Sequence, residues 1–532
     1  GRYRDAANHY QLILAREPRH AIAANNLGKL HQNLGNNMLA LDFYRRAIDL
    51  APDFADAHFN RGTALRAQGD LAAARDAFAT VLRLQPDDAA ACSNLGTIYK
   101  DQGQVEEAVA WYRRAIEKDP RLREVHSNLL FTLSYHLLGS AQERLEAHRL
   151  WDDRHGGPFK AQTFTHHRGA HPTKLRIGYV SPDLKRHAVS TFLEPILAAH
   201  DHQAFEIFCY AEVAQPDEIT ERLRIHSDGW RDTTGRNAME VARQIHEDGI
   251  HILVDLAGHT SGNRLDVFAY KPAPVQLTYL GYCATTGLAA MDYWITDEVL
   301  MPPDSPEMAV EEIVRLPRCW LCYQPPSPAP AVKAQRGGGE PVTFGSFNHL
   351  SKLSDAVLAC WSQILGQLPH ATLLLKTQQL ADPAVQEQIL NRFAAHGVEP
   401  QRLRLEGASS DYLERYNAVD IALDPFPRTG GATSADALWM GTPVITLVGR
   451  FVIERQGASM LTALELKELV ADSEEQYIAK AVQLARDPQT RQNLHQNLRQ
   501  RMQASPLCDG PGLATALEDC YRRFWQHFQT QA

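Results

Sequence analysis

The chain has 532 residues, with 54 Lys and Arg against 63 Asp and Glu, a formal net charge of −9. Apolar residues make up 44% and charged residues 22%, an ordinary globular composition that excludes a disordered, fibrous or disulfide-stapled protein. At roughly 100–200 residues per domain, about three domains are expected.

The mild acidity argues against a nucleic-acid partner, whose phosphates demand a basic surface. No apolar run approaches the ~18 residues a membrane span needs. Nothing at the start reads as a signal peptide, and eight cysteines in so long a chain make no disulfide framework. Together these point to a reducing cytoplasm. Cys319 and Cys322 share CxxC spacing. Without a second pair they read as buried thiols, not as a metal site.

The first 135 residues repeat with a period of 34. Gly35, Gly69 and Gly103 keep this step, as do Ala6, Ala40, Ala74 and Ala108. So do Tyr10, Tyr44, Phe78 and Tyr112, the prolines 18, 52, 86 and 120, and Asn26, Asn60, Asn94 and Asn128. The period and residue types resemble the tetratricopeptide repeat. Each unit reads as two amphipathic helices, with Gly at the turn, small Ala at the close approach and the aromatic in the seam. Such units stack into a superhelix with a concave groove. Three helix pairs are expected, preceded by a lone helix over 1–17 and followed by another over 122–138. The chain opens on Gly1, so the array is expected to be longer than the part seen here. The Asn column sits on the groove-facing helix. An amide there can bond a peptide backbone, because it both donates and accepts, or it can tie neighbouring helices together.

From residue 175 the texture changes to short apolar strands separated by helical stretches, at 175–180, 205–211, 251–258 and 275–281. A Pro/Gly-rich linker follows over 325–340, and the alternation restarts at 342–347, 371–376, 402–405, 420–424 and 442–448. Strands alternating with helices predict two parallel, doubly wound α/β lobes with a cleft between them. Ligands of such sheets bind beyond the carboxyl ends of the strands.

The segments leaving those strands therefore carry the candidate chemistry. In 179–192, His187 lies in the turn before a helix, either at the cleft or simply solvated. In 255–264 two glycines suit close backbone approach, and His259 and Thr260 follow the strand. In 345–353, Lys352 stands just before a helix, an end that disfavours cations; it either neutralises a phosphate in the cleft or is a solvated lysine at a helix start. In 423–443, Gly430 and Gly431 lead into a helix bearing Ala432, Thr433, Ser434 and Asp436. Amides and hydroxyls at a helix start form an anion site, and Asp436 is placed for sugar hydroxyls. The chain contains no Asp-x-Asp and no HExxH. A diphosphate would thus be held by Lys352 and helix amides without a metal.

Together LRIGYVSPDLKRHAVS, DGIHILVDLAGHT, KPAPVQLTYLGY, MDYWITD, GSFNHLSKL and ALWMGTPVIT, in this order behind the repeats, resemble the protein O-GlcNAc transferase family. The resemblance implies a two-lobed GT-B glycosyltransferase that inverts the anomeric centre of UDP-GlcNAc, without metal, on Ser/Thr of proteins. By position it makes Lys352 the lysine at the diphosphate, His187 the active-site histidine, His349 a neighbour of the nucleotide and Asp436 the ribose ligand. Gly431-Ala432-Thr433 stands where the animal enzymes have His-Thr-Thr. The Asn column matches that family's asparagine ladder, which favours peptide binding, with His259 and Thr260 on the acceptor side. The layout is also similar to SPINDLY-type O-fucosyltransferases, which implies GDP-fucose as the alternative donor. A catalytically weak repeat scaffold is the reading outside enzymes.

The resulting division is repeats over 1–138, a helical connector over 139–172 and an acceptor-side lobe over 173–324. The linker 325–340, a nucleotide-sugar lobe over 341–505 and a terminal helix over 506–532 returning to the first lobe complete it. Protein acceptors in the groove, a UDP-sugar and a homodimer through the repeats are the expected partners.

Overall fold

The computed structural model describes residues 2–135, 139–169, 172–333 and 340–530. The repeats form α1 (Arg2–Arg16), α2 (Ala21–Asn33), α3 (Asn37–Leu50), α4 (Ala55–Gln68), α5 (Leu71–Leu84), α6 (Ala89–Asp101), α7 (Val105–Lys118) and α8 (Arg123–Leu133). Gly35, Gly69 and Gly103 turn each pair with φ near +80 to +87°. This is the left-handed region that glycine enters without steric cost. A second glycine column, also with the 34-residue step, explains the aromatic one. A Cβ at Gly28, Gly62 or Gly96 would lie 2.7, 2.9 or 2.8 Å from the ring of Tyr44, Phe78 or Tyr112. Each ring thus packs against a glycine of the preceding helix, buried to within 1% of full.

The lone helix expected over 122–138 is shorter. It ends at Leu133, where Ser134 turns its hydroxyl back onto the Phe131 carbonyl at 2.6 Å. Residues 136–138 lie outside the described residues. Next comes α9 (Ala141–Trp151), started by a reciprocal Ser140–Glu143 capping box.

Among the described residues two all-parallel sheets follow. The first contains β1 (Leu175–Ser181), β2 (Phe205–Ala211), β3 (Gly229–Asp232), β4 (Ile252–Asp255), β5 (Val275–Thr278), β6 (Tyr293–Asp297) and β7 (Glu312–Leu316), in the order 3-2-1-4-5-6-7. The second contains β8 (Thr343–Ser346), β9 (Thr372–Lys376), β10 (Leu403–Glu406), β11 (Ile421–Leu423), β12 (Val444–Leu447) and β13 (Val470–Ala471), in the order 10-9-8-11-12-13. Both orders reverse between the strand pairs 1/4 and 8/11. Such switch points are where doubly wound sheets open a crevice for ligands.

The lobes touch through Ser459, whose hydroxyl donates to Asp297 at 2.5 Å, and through Arg455, which donates to the Val299 carbonyl at 2.7 Å. The last helix, Gly510–Thr530, lies on the first sheet: Phe524 stacks on Tyr293 at 3.9 Å and Glu518 pairs with His200 at 2.9 Å. Cys319 and Cys322 are buried, and burial pushes both thiols up to about 12, the state of inert core sulfurs. No helix among the described residues is long and apolar enough to cross a membrane.

The candidate donor and acceptor sites

The loops leaving β8 and β11 meet at one side chain. Lys352 ends a short helical turn (Leu350–Lys352) after β8. Its ammonium donates to Asn348 Oδ1 at 2.9 Å and to the Thr429 carbonyl at 3.0 Å. The same Asn348 oxygen accepts from Thr433 Oγ1 at 2.9 Å. Burial pushes Lys352 down to about 7; the Arg428 cation pushes the same way and Asp424 opposes both. A desolvated ammonium beside a second cation is costly unless an anion arrives.

Asp424 organises the loop after β11. It accepts from the Gly430 amide at 2.6 Å, from Ser434 Oγ at 3.2 Å and from Thr446 Oγ1 at 2.7 Å. Burial lifts its carboxyl to about 6. The donors of Gly430 and Ser434 thus face Asp424 and shape the loop. Gly431 is the residue before the helix Ala432–Trp439. Among the described residues no protein acceptor takes the amides of Gly431, Ala432 and Thr433. These amides, with Lys352, are the donors open to an anion at this helix start.

Asp436 sits one turn further on. It accepts from Tyr323 OH at 2.7 Å and from Tyr412 OH at 3.2 Å, and burial lifts it to about 6. Tyr323 belongs to the segment crossing between the lobes, so this pair couples them. Each carboxylate oxygen keeps a second lone pair for a hydroxyl ligand.

His349 turns Nδ1 to the Ser351 hydroxyl and faces Asp101 of α6 with Nε2 at 3.8 Å, beyond hydrogen-bond reach. Burial and the cations Lys100, Lys352 and Arg428 hold it neutral, down to about 3.

His187 caps the helix Ala188–Leu197. Its Nδ1 accepts from the Val189 amide at 3.3 Å and lies 3.6 Å from Asp183. Both partners are on its own loop, which leaves Nε2 as the nitrogen a substrate can meet.

The acceptor-side expectation for His259 is corrected. The ring is fully buried, with Nδ1 3.1 Å from Ser127 Oγ of α8 and Nε2 2.8 Å from the Thr286 carbonyl. With both nitrogens occupied it joins repeat to lobe. It belongs to a buried cluster with His126, His148, His155 and Trp151. Thr260, half-buried, donates its hydroxyl to the Ala257 carbonyl at 2.9 Å.

The Asn column is half-buried throughout. Asn26 Nδ2 donates to Tyr10 OH at 3.3 Å and Asn60 Nδ2 to Asn25 Oδ1 at 3.0 Å. Asn94 Nδ2 donates to the Ala90 carbonyl of its own helix at 2.9 Å. The oxygens of Asn60 and Asn94 are left for a ligand. Asn128 occupies the same position of α8, next to Ser127. Among the described residues no group of three His, Cys, Asp or Glu side chains could hold a metal ion.

The family model of glycosyl transferase family 41 matches residues 121–323 and 333–516. The chain belongs to this family. The tetratricopeptide repeat model matches 1–55, 27–89 and 59–122 ahead of it.

Among family relatives, the tomato (Solanum lycopersicum) probable UDP-N-acetylglucosamine–peptide N-acetylglucosaminyltransferase SPINDLY is 38% identical over 418 residues, 77% of this chain and 45% of that protein. The Arabidopsis thaliana protein of the same printed activity called SEC is 31% identical over 388 residues, 69% of this chain and 39% of that protein. The chain thus spans less than half the length of these plant relatives. A solved lysine-to-methionine mutant of the Thermobaculum terrenum O-GlcNAc transferase superposes with a TM-score of 0.89 at 36% identity, covering 96% of this chain and 98% of that one. The match supports the two-lobed GT-B architecture behind the repeats.

Asn348, Asp424, Arg428, Tyr323 and Tyr412 complete the site beyond the residues expected from sequence. Asn348, Asp424 and Arg428 lie inside the segments 345–353 and 423–443. Contacts across the fold, Thr433 to Asn348 and Arg428 to Ser134, are what give them a role.

Proposed function

We propose that this chain transfers N-acetylglucosamine from UDP-GlcNAc to Ser or Thr hydroxyls of proteins, with inversion and without a metal. The observation that carries the reading is the Lys352 ammonium. It is desolvated between Asn348 and the Thr429 carbonyl, beside Arg428 and the open amides of the helix Ala432–Trp439. An anion completes that arrangement, and a departing diphosphate is the anion that glycosyl transfer generates.

In the step proposed, the acceptor oxygen bonds to the sugar C1 on the face opposite the diphosphate as the C1–phosphate oxygen bond breaks. The electron pair of that bond leaves with the diphosphate, whose developing charge Lys352 meets. The hydroxyl proton passes to a base, for which His187 Nε2 is the candidate. Preorganised charges of this kind are worth several kcal/mol in a water-poor cleft. Asp436 receives the ribose hydroxyls and His349 borders the nucleotide. The repeat groove presents the acceptor backbone to Asn60, Asn94 and Asn128. The expected partners are proteins and a sugar nucleotide, the expected place the cytoplasm, and pairing of two chains through the repeats remains part of the proposal.

A specific observation supports a second donor: the SPINDLY relatives, at 38%, are more similar than SEC at 31%. The second reading is therefore fucose transfer from GDP-fucose through the same diphosphate site. Titration of the chain with UDP and with GDP separates the two, because the winning base binds more tightly. Turnover in EDTA tests the metal-free step, and loss of activity on chelation overturns it.

A further inference from the structure

Arg428 leaves the nucleotide-side lobe and docks on the last repeat helix. Its Nη1 donates to Ser134 Oγ at 2.7 Å. Its guanidinium carbon lies 4.5 Å from the centroid of the Phe131 ring and 4.6 Å from that of Tyr135. Both rings belong to the end of the repeat array and meet edge to face at 5.3 Å. Such a cage fixes a cation by ring quadrupoles and one hydrogen bond, without neutralising it by a carboxylate. The next residue, Thr429, supplies the carbonyl that holds Lys352.

We infer that the repeat domain completes the diphosphate site, and that Arg428, caged by Phe131, Ser134 and Tyr135, is a positioning residue. It pins the 424–431 loop against α8 and sets the cationic field in which Lys352 works.

The inference rests on the reading of Lys352 as the diphosphate ligand. It adds that residues of the repeats, on the acceptor side of the chemistry, govern affinity for the donor. The electrostatics agree: Arg428 is the neighbouring cation that helps push Lys352 down. Asp424 is the carboxylate facing Lys352, Cys283 the thiol that faces both cations, and His349 the imidazole beside them.

The test is calorimetric titration of the full chain with UDP and with GDP at pH 6 and pH 8. The proteins are wild type, Lys352→Met, Arg428→Met, Arg428→Lys and the cage variant Phe131→Leu/Tyr135→Leu, each with a melting curve. The expected result at pH 6 is about tenfold weaker nucleotide binding in Arg428→Met and a smaller loss, severalfold, in the cage variant. The pH at which affinity falls off should move upward in Arg428→Met, because Lys352 loses a like-charged neighbour. It should stay in place in Arg428→Lys, which keeps the charge. If Arg428→Met does not fold, the cage variant alone decides by its loss of affinity. Wild-type affinity in both Arg428→Met and the cage variant, with Lys352→Met weakened, overturns this inference and leaves the donor reading standing. Equal losses in Arg428→Met and Arg428→Lys with no movement of the pH limb also overturn it, since that is a purely structural role. Undiminished binding in Lys352→Met, or no binding of either nucleotide by wild type, overturns the donor reading and this inference with it.

Discussion

Lowering the pH from 7.5 to 5.5 should loosen the joint between repeats and first lobe, because that joint is built on neutral histidines. His148 and His259 are buried, and burial holds His148 down to about 4 and His259 well below its ordinary value. His126, down to about 3, and His155, down to about 4, belong to the same cluster. The cations Arg123, Arg144 and Arg154 face them and push the same way.

The folded values lie below the unfolded one, so the unfolded chain binds more protons as pH falls below about 6.5. The stability these groups contribute is fully present above pH 6.5 and is lost on acidification through the window down to their folded values. At pH 5.5 each histidine kept neutral costs about 1.4 kcal/mol, so His148 and His259 alone should remove roughly 3 kcal/mol. Asp255, Asp424 and Asp436, lifted to about 6, and Glu307, lifted to about 7, act in the opposite sense. The measurement is therefore a difference: urea midpoints at pH 7.5 and 5.5 for wild type and for His148→Gln/His259→Gln. The variant keeps amides for the Tyr282 and Ser127 partners, and every carboxyl is common to both proteins. A smaller acid loss in the variant is expected. An identical loss in the two proteins refutes the reasoning.

Lys352→Met should cost about 100-fold or more in turnover, the scale of one preorganised charge. In wild type, UDP affinity should weaken as pH rises through about 7, where burial sets the Lys352 proton; a flat profile from pH 6 to 8.5 contradicts this. Replacing Asn60, Asn94 and Asn128 with Ala should weaken a protein acceptor by about 10- to 2,000-fold at ~0.5–1.5 kcal/mol per hydrogen bond, with UDP affinity unchanged. Untouched protein glycosylation would leave the column purely structural. For His187→Ala, loss of the acidic limb of the rate profile together with a ~10²–10⁴-fold fall identifies the base. A fall with the limb intact makes His187 a positioning group.

The repeat array was legible because its period repeats several independent residue types. The column Gly28, Gly62 and Gly96 keeps the same step but gains its meaning only from the rings of Tyr44, Phe78 and Tyr112 packed against it. Strand β2 matches its apolar run at both ends, Phe205 to Ala211. The strands β3, β6, β7 and β13 were not foreseen: β3, β7 and β13 are short strands at sheet edges, whereas β6 is fully buried inside its sheet and its segment was read only as part of a motif. At the site, Lys352 stood out by its place after a strand. His259, also after a strand, became a joint instead, since Ser127 meets it from 132 residues away. Arg428 was invisible for the same reason: its partner Ser134 is 294 residues away, and nothing local marks the pair.

The central claim is that the cleft holding Lys352 transfers N-acetylglucosamine from UDP-GlcNAc to protein hydroxyls without a metal. Its most direct measurement is intact-protein mass spectrometry of an acceptor library incubated in EDTA with the chain and either UDP-GlcNAc or GDP-fucose, alongside Lys352→Met. The expected result is addition of single N-acetylhexosamines on Ser or Thr from UDP-GlcNAc, and their near-disappearance in Lys352→Met. Transfer of a deoxyhexose from GDP-fucose alone, no transfer in EDTA, or wild-type transfer by Lys352→Met would contradict it.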